Sequence, residues 1–83
     1  KEVPGRLSAY LLFLSDKSPD AEQLDLEVSK GQLAALLGTI PETLSRILTR
    51  MARLGLLKTE GARVRILNKS ALQKIADGET KLS

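Results

Sequence analysis

Gly38-Thr39-Ile40-Pro41-Glu42-Thr43-Leu44-Ser45-Arg46-Ile47-Leu48 sets a glycine ahead of a run whose apolar and polar residues separate at helical spacing. On a wheel of roughly 100° per residue, Ile47, Leu48, Met51 and Leu54 fall within about 80° of Leu44 and form a stripe for burial. Glu42, Ser45, Arg46, Thr49 and Arg53 take the other side. That side is polar throughout, has no aromatic residue, and carries guanidinium groups whose fork matches a base edge or a phosphate. The spacing predicts a helix over about 40–54. Thr39 is the expected cap of its first turn, with Glu42 reaching back to the Thr39 N–H. Pro41 belongs in that turn, where a missing N–H leaves no intrahelical bond unmade. Gly38 suits a preceding turn that needs positive φ.

Upstream, Ser29-Lys30-Gly31-Gln32 reads as a second helix start, with Ser29 as cap and Gln32 in the capping-box position. Leu33, Leu36 and Leu37 then repeat at helical spacing, with Ala34 and Ala35 allowing close packing. A short helix over 30–37, a tight turn and a longer helix make a helix-turn-helix, with 40–54 as the helix expected in a major groove. Beyond the stop at Gly55, the segments 56–60 and 63–67 flank Gly61-Ala62, which predicts a hairpin. Val64 and Ile66 point one way in its second arm, and Arg63, Arg65 and Leu67 the other. A basic hairpin directly after such a helix is a wing, here over about 57–67.

The remaining segments frame this unit. Leu7, Tyr10, Leu11 and Leu14 mark an amphipathic helix over about 4–15, widened by Leu12 and Phe13. A polar loop is expected over 15–23, then a short strand in which Leu24, Leu26 and Val28 alternate with Asp25 and Glu27. Asn68 caps a last helix with Leu72, Ile75 and Ala76 inward and Gly78 as its stop, and 79–83 reads as frayed tail. The expected fold is mainly α with a small β-wing: a winged helix-turn-helix with a three-helix core, a hairpin and a C-terminal helix.

Composition narrows the function. Eighty-three residues make a single domain, 1–83. With no cysteine or histidine, thiolate chemistry and the usual acid–base and metal-ligand groups are missing from the chain. Asp16, Asp20, Glu22, Asp25 and Glu27 are read as loop or outward strand positions, so no carboxylate pair converges and no enzyme is expected. No apolar run approaches the roughly 20 residues of a membrane span, and a soluble cytoplasmic protein is expected. Net charge is only +3, but residues 29–65 hold seven basic side chains against two acidic ones. The positive charge is therefore concentrated on the helix-turn-helix and wing, where counterion release drives binding to nucleic acid. A protein-interaction module with the same basic face is the competing reading. Steep salt dependence with duplex specificity separates the two.

With these residues in place, the chain resembles the C-terminal DNA-binding domain of the CRP/FNR family of bacterial transcription regulators, over nearly all of 2–77. The most specific part is Leu33 to Arg46, which is similar to the family's helix-turn-helix signature, and Glu2 to Leu7 looks like the hinge after its dimerisation helix. The resemblance implies a homodimeric, effector-responsive regulator, of which this chain is a fragment lacking the N-terminal effector-binding and dimerisation region. It implies a double-stranded inverted-repeat operator as partner, RNA polymerase as a further one, and nucleoid association when bound. No cofactor is expected in this fragment, and any effector would belong to the missing part. Carried over by position, base readers fall on Glu42, Ser45 and Arg46. Phosphate contacts fall on Ser29, Lys30, Thr43, Lys58 and Arg63, with Thr49 and Arg50 as additional candidates. Glu42 has a second reading as a capping residue only, and Ser29 and Thr43 as capping or packing residues. Pro41 stands where cyclic-AMP-receptor-like members carry a base-reading arginine, so Glu42-x-x-Ser45-Arg46 looks closer to the FNR-like branch, with a TGA-like half-site core.

Overall fold

The computed structural model describes residues 2–18, 23–26 and 28–82. Its elements in chain order are α1 (Val3–Lys17), β1 (Gln23–Asp25), α2 (Lys30–Leu36), α3 (Pro41–Arg53), β2 (Leu57–Glu60), β3 (Arg63–Ile66) and α4 (Lys69–Ala76). Four helices and a small antiparallel sheet therefore realise the expected winged helix-turn-helix. Among the described residues no helix is long and apolar enough to cross a membrane.

The junction between α2 and α3 follows from local chemistry. At the start of α2 the capping box is complete, since Gln32 N–H donates to Ser29 Oγ and Ser29 N–H to Gln32 Oε1, both at 3.1 Å. At its end Gly38 N–H donates to the Ala35 carbonyl (3.1 Å) and Thr39 N–H to the Ala34 carbonyl (2.8 Å). This Schellman closure needs a left-handed residue, and Gly38 supplies it with φ +76°. The same pair of bonds closes α3, from Gly55 N–H to Ala52 and from Leu56 N–H to Met51, both at 3.0 Å.

The expected Thr39 cap of α3 is not formed. Ile40 occupies the cap position with φ −113° and ψ 157° and makes no side-chain capping bond. Pro41 is the reason: its ring pushes the preceding residue into extended backbone, so Ile40 cannot be the first helical residue that a Thr39 cap requires. Glu42 consequently sits in the first turn without reaching back. It still faces the positive end of the helix dipole.

Core packing meets most of the expected stripes and shifts others. Leu7, Leu11, Leu33, Leu44, Met51, Leu57 and Leu72 are fully buried, so helices and wing share one interior. In α3, Leu48 is buried and Ile47 partly so, but Leu54 is the C-cap and lies exposed at the edge of the stripe. In α2 the buried side is Leu33, Ala34 and Leu37, which turns Leu36 outward. The inward face of α1 is rotated from the expected Leu7-Tyr10-Leu11-Leu14 stripe toward Ser8, Leu12 and Ser15. Both α4 and β1 pack against α1. Phe13, about 160° from the centre of that face, is exposed, with Lys17 Nζ 4.8 Å from its ring centroid. Ser8 Oγ is buried without a hydrogen-bond partner, a cost that the surrounding packing must offset.

Two further expectations change. The helix α1 runs on to Lys17, which places Asp16 on a helix and in an ion pair with Lys69 of α4 (3.6 Å). Asp20, Glu22 and Glu27 lie outside the described residues. The C-terminal segment is not frayed as expected: Glu79 and Thr80 N–H both bond the Lys74 carbonyl, and Leu82 packs against the core. The cap of α4 is as expected, with Ala71 N–H on Asn68 Oδ1 at 3.0 Å.

Two glycines of this unit should respond oppositely to alanine. Gly38→Ala is expected to cost about 1–2 kcal/mol, since it puts a Cβ on left-handed backbone. Gly31→Ala, inside α2 with only Ser29 Oγ 3.8 Å from the added carbon, is expected to gain about 0.5–1 kcal/mol. Thermal unfolding followed by circular dichroism reads both, as shifts of about 4–8 °C per kcal/mol in a domain this small.

Candidate nucleic-acid interface

Pro41 starts α3 and the Gly55 closure ends it, and between them the buried Leu44-Leu48-Met51 edge leaves the opposite face to solvent. Along that face Glu42, Ser45, Arg46, Thr49, Arg50 and Arg53 line one shallow concavity. The structure thus brings together all three expected base readers and both additional candidates, and adds Arg53 to them. Arg46 has a partner that the sequence pattern did not disclose: Glu42 Oε1 lies 3.5 Å from its Nη2, one turn earlier. Both side chains are more than 70% exposed. An exposed pair at this spacing is worth only about 0.3–0.5 kcal/mol, so it orients the guanidinium outward yet releases it readily to a stronger acceptor.

The other candidates lie outside this concavity. Ser29 and Lys30 are exposed at the start of α2, where Ser29 Oγ already accepts from Gln32; its hydroxyl proton remains a donor. Thr43, in the first turn of α3, is half-buried.

The sheet sorts the charges of the wing in a way the hairpin alone did not predict. β1 adds to the hairpin as a third strand, in the order β1-β3-β2. Leu24 pairs with Val64, and both turn into the core together with Leu57 and Ile66. On the outer face Arg63 stands between Asp25 of β1 and Glu60 of β2. Its Nε donates to Asp25 Oδ1 at 3.0 Å. With the Gln23 amide oxygen turned toward it, Nη1 and Nε also meet that oxygen at 3.1 and 3.2 Å. The Asp25 hydrogen bond and charge, joined by the charge of Glu60, raise the Arg63 pKa above its ordinary value. One step along, Arg65 is directly opposite Lys58, with Gln23 on its other side. Two like charges in register have no structural benefit in a sheet. Arg65 is a basic residue that the sequence reading does not single out, although the two-residue Gly61-Ala62 turn already sets it opposite Lys58; what β1 adds is Asp25 beside Arg63.

Among the described residues no group of three or more His, Cys, Asp or Glu side chains could hold a metal ion. The arrangement offers donors and positive charge rather than converging acid–base groups. It is suited to holding a polyanion.

Known proteins share this sequence pattern and fold. Residues 5–75 match the Crp-like helix-turn-helix domain. The transcriptional activator protein FnrA of Stutzerimonas stutzeri is 35% identical over 82 residues, covering 94% of this chain and 34% of that protein. The Thermus thermophilus catabolite activator protein superposes with a TM-score of 0.75 at 29% identity, over 94% of this chain and 35% of that one. FixK2 from Bradyrhizobium japonicum reaches a TM-score of 0.84 over 100% of this chain and 41% of its own, and at 23% identity speaks for the fold alone. The chain spans about a third of the length of FnrA. With the family match covering the helix-turn-helix, the wing and most of both framing helices, the chain belongs to the Crp-like helix-turn-helix domains of the CRP/FNR transcription regulators.

Proposed function

We propose that this domain binds double-stranded DNA in a sequence-specific manner, as the output module of an effector-responsive transcription regulator. The observation that carries this reading is the exposed polar strip of α3, where Arg46 is aimed outward by Glu42 and lies beside Ser45. In a major groove Arg46 would fork onto guanine O6 and N7, Glu42 would accept from cytosine N4, and Ser45 would bond a neighbouring base edge. Glu42 forms no capping bond and pairs instead with Arg46, which supports a role in orienting Arg46 and reading a base. Thr49 and Arg50 extend the strip toward flanking phosphates. Ser29, Lys30 and Thr43 would fix the register of the duplex by phosphate contacts.

On the wing, the geometry favours Lys58 with Arg65 as the backbone-contacting pair. Arg63, already satisfied by Asp25, is left to hold β1 to the hairpin. In the complete regulator we propose a homodimer on an inverted repeat, with RNA polymerase as a further partner. The protein would act in the bacterial cytoplasm, associated with the nucleoid when bound. Any effector or cofactor would act on the regulator outside this domain, which works by binding rather than catalysis.

Three measurements test this. Arg46→Ala is expected to cost about 1–3 kcal/mol on a cognate half-site and far less on random duplex, as seen by fluorescence anisotropy. Equal losses on both would remove Arg46 from base reading. Lys58→Ala and Arg65→Ala are each expected to weaken cognate and random duplex alike and to reduce the salt slope by about 1. Arg63→Ala should instead lower the melting temperature more than the affinity. Selection from randomised duplexes with an artificially dimerised chain should recover an inverted repeat with half-site centres about 10–10.5 base pairs apart; direct repeats or no symmetry would overturn the assignment.

A further inference from the structure

Where α3 ends, α4 and the returning C-terminal segment approach it and leave a cleft of ≈ 490 Å³. Its apolar lining is supplied by Leu54, Ala71, Ile75 and Leu82, and its cations are Arg50, Lys74 and Lys81. No carboxylate lines it, and none of the three cations makes an ion pair among the described residues. Leu54 is 55% exposed although it lies at the edge of the stripe that α3 buries. What sets Leu54 apart from the other exposed apolar side chains is that it shares a concave lining with three cations that have no ion-pair partner among the described residues.

Three occupants are conceivable, and chemistry separates them. A phosphodiester backbone would answer the cations but brings no apolar group to Leu54 and Ile75. A second copy presenting this same cleft would set basic against basic, and one presenting a more acidic face would show as self-association in the test below. A protein segment that combines carboxylates with one apolar anchor matches both halves of the lining. We propose that this cleft docks a short acidic, amphipathic segment of a partner protein, its apolar side chain seated against Leu54 and Ile75 and its carboxylates on Arg50, Lys74 and Lys81. The proposal does not depend on how the strip of α3 reads bases, since Arg50 and Leu54 alone are shared between the two surfaces.

The test is peptide display against the 83-residue chain, using a library of random short peptides, followed by amide-resolved NMR titration with a synthetic copy of the winner. Enriched peptides should carry Asp or Glu around a Leu, Phe or Met, and should shift the amides of Leu54, Ala71 and Lys74. Lys74→Glu/Lys81→Glu should weaken that peptide by about tenfold or more, and Leu54→Ser, an exposed change, should weaken it several-fold with the fold intact. Binding of the double variant to a half-site duplex should stay within about twofold of the parent. A large loss of duplex affinity would give the cleft to the DNA backbone and overturn the proposal. It would equally fall if no peptides are enriched, if the peptides bind parent and variant alike, or if concentration-dependent self-association of the parent disappears in the variant. Failure of duplex binding by the parent itself would reject the DNA reading while leaving the peptide result to stand.

Discussion

The carbonyl of Leu37 is where the helix-turn-helix junction is tied to α1. The two bonds that close α2 use the Ala34 and Ala35 carbonyls and leave that of Leu37 pointing out of the helix end. Arg6 Nε, from the first turns of α1, donates to it at 3.0 Å. A charged donor on a helix C-terminal carbonyl is a strong form of hydrogen bond, and here it spans 31 residues of sequence. It anchors the turn whose geometry decides how α3 leaves α2. Because Gly38 reverses the chain within one residue and Pro41 fixes the entry to the next helix, there is little freedom left at this junction. The polar strip of α3 is thus tied to α1 by the Leu37 carbonyl as well as by the core in which Leu7, Leu33 and Leu44 are buried.

Most elements were legible in the sequence because each carries its own local signal. The Ser29-Gln32 box, the Asn68 cap and the Gly61-Ala62 turn all form where short-range pattern places them. The failures share a different cause. Thr39 and Glu42 have the spacing of a capping box, yet the steric demand of Pro41 on Ile40 outranks it. Leu36, Leu54 and Phe13 are apolar at plausible helical positions, and whether such a residue is buried depends on which neighbour the helix meets. For α1 those neighbours are α4 and β1, information absent from any one segment.

The candidate site shows the same division. The face of α3 was readable because a helix wheel is local, and all of its expected residues share one surface. The charges of the wing were not, since their meaning depends on the pairing of β1 with β3 across about forty residues. Once Asp25 is set beside Arg63, one arginine becomes part of the scaffold. The other is left facing Lys58. Two residues of the same type, two positions apart, thus differ in partners through register alone.

The Lys58–Arg65 apposition has a thermodynamic consequence. In the DNA reading proposed above, a phosphate seated between two cations held in register would relieve a contact that gives the sheet nothing, so binding would recover what the free wing forgoes. Added salt would screen this pair and the domain's exposed ion pairs alike, and would weaken a complex with a polyanion. A wing neutralised at these positions would then hold a polyanion less well without losing a contact on which the fold depends, the separation of fold from function that surface charges allow.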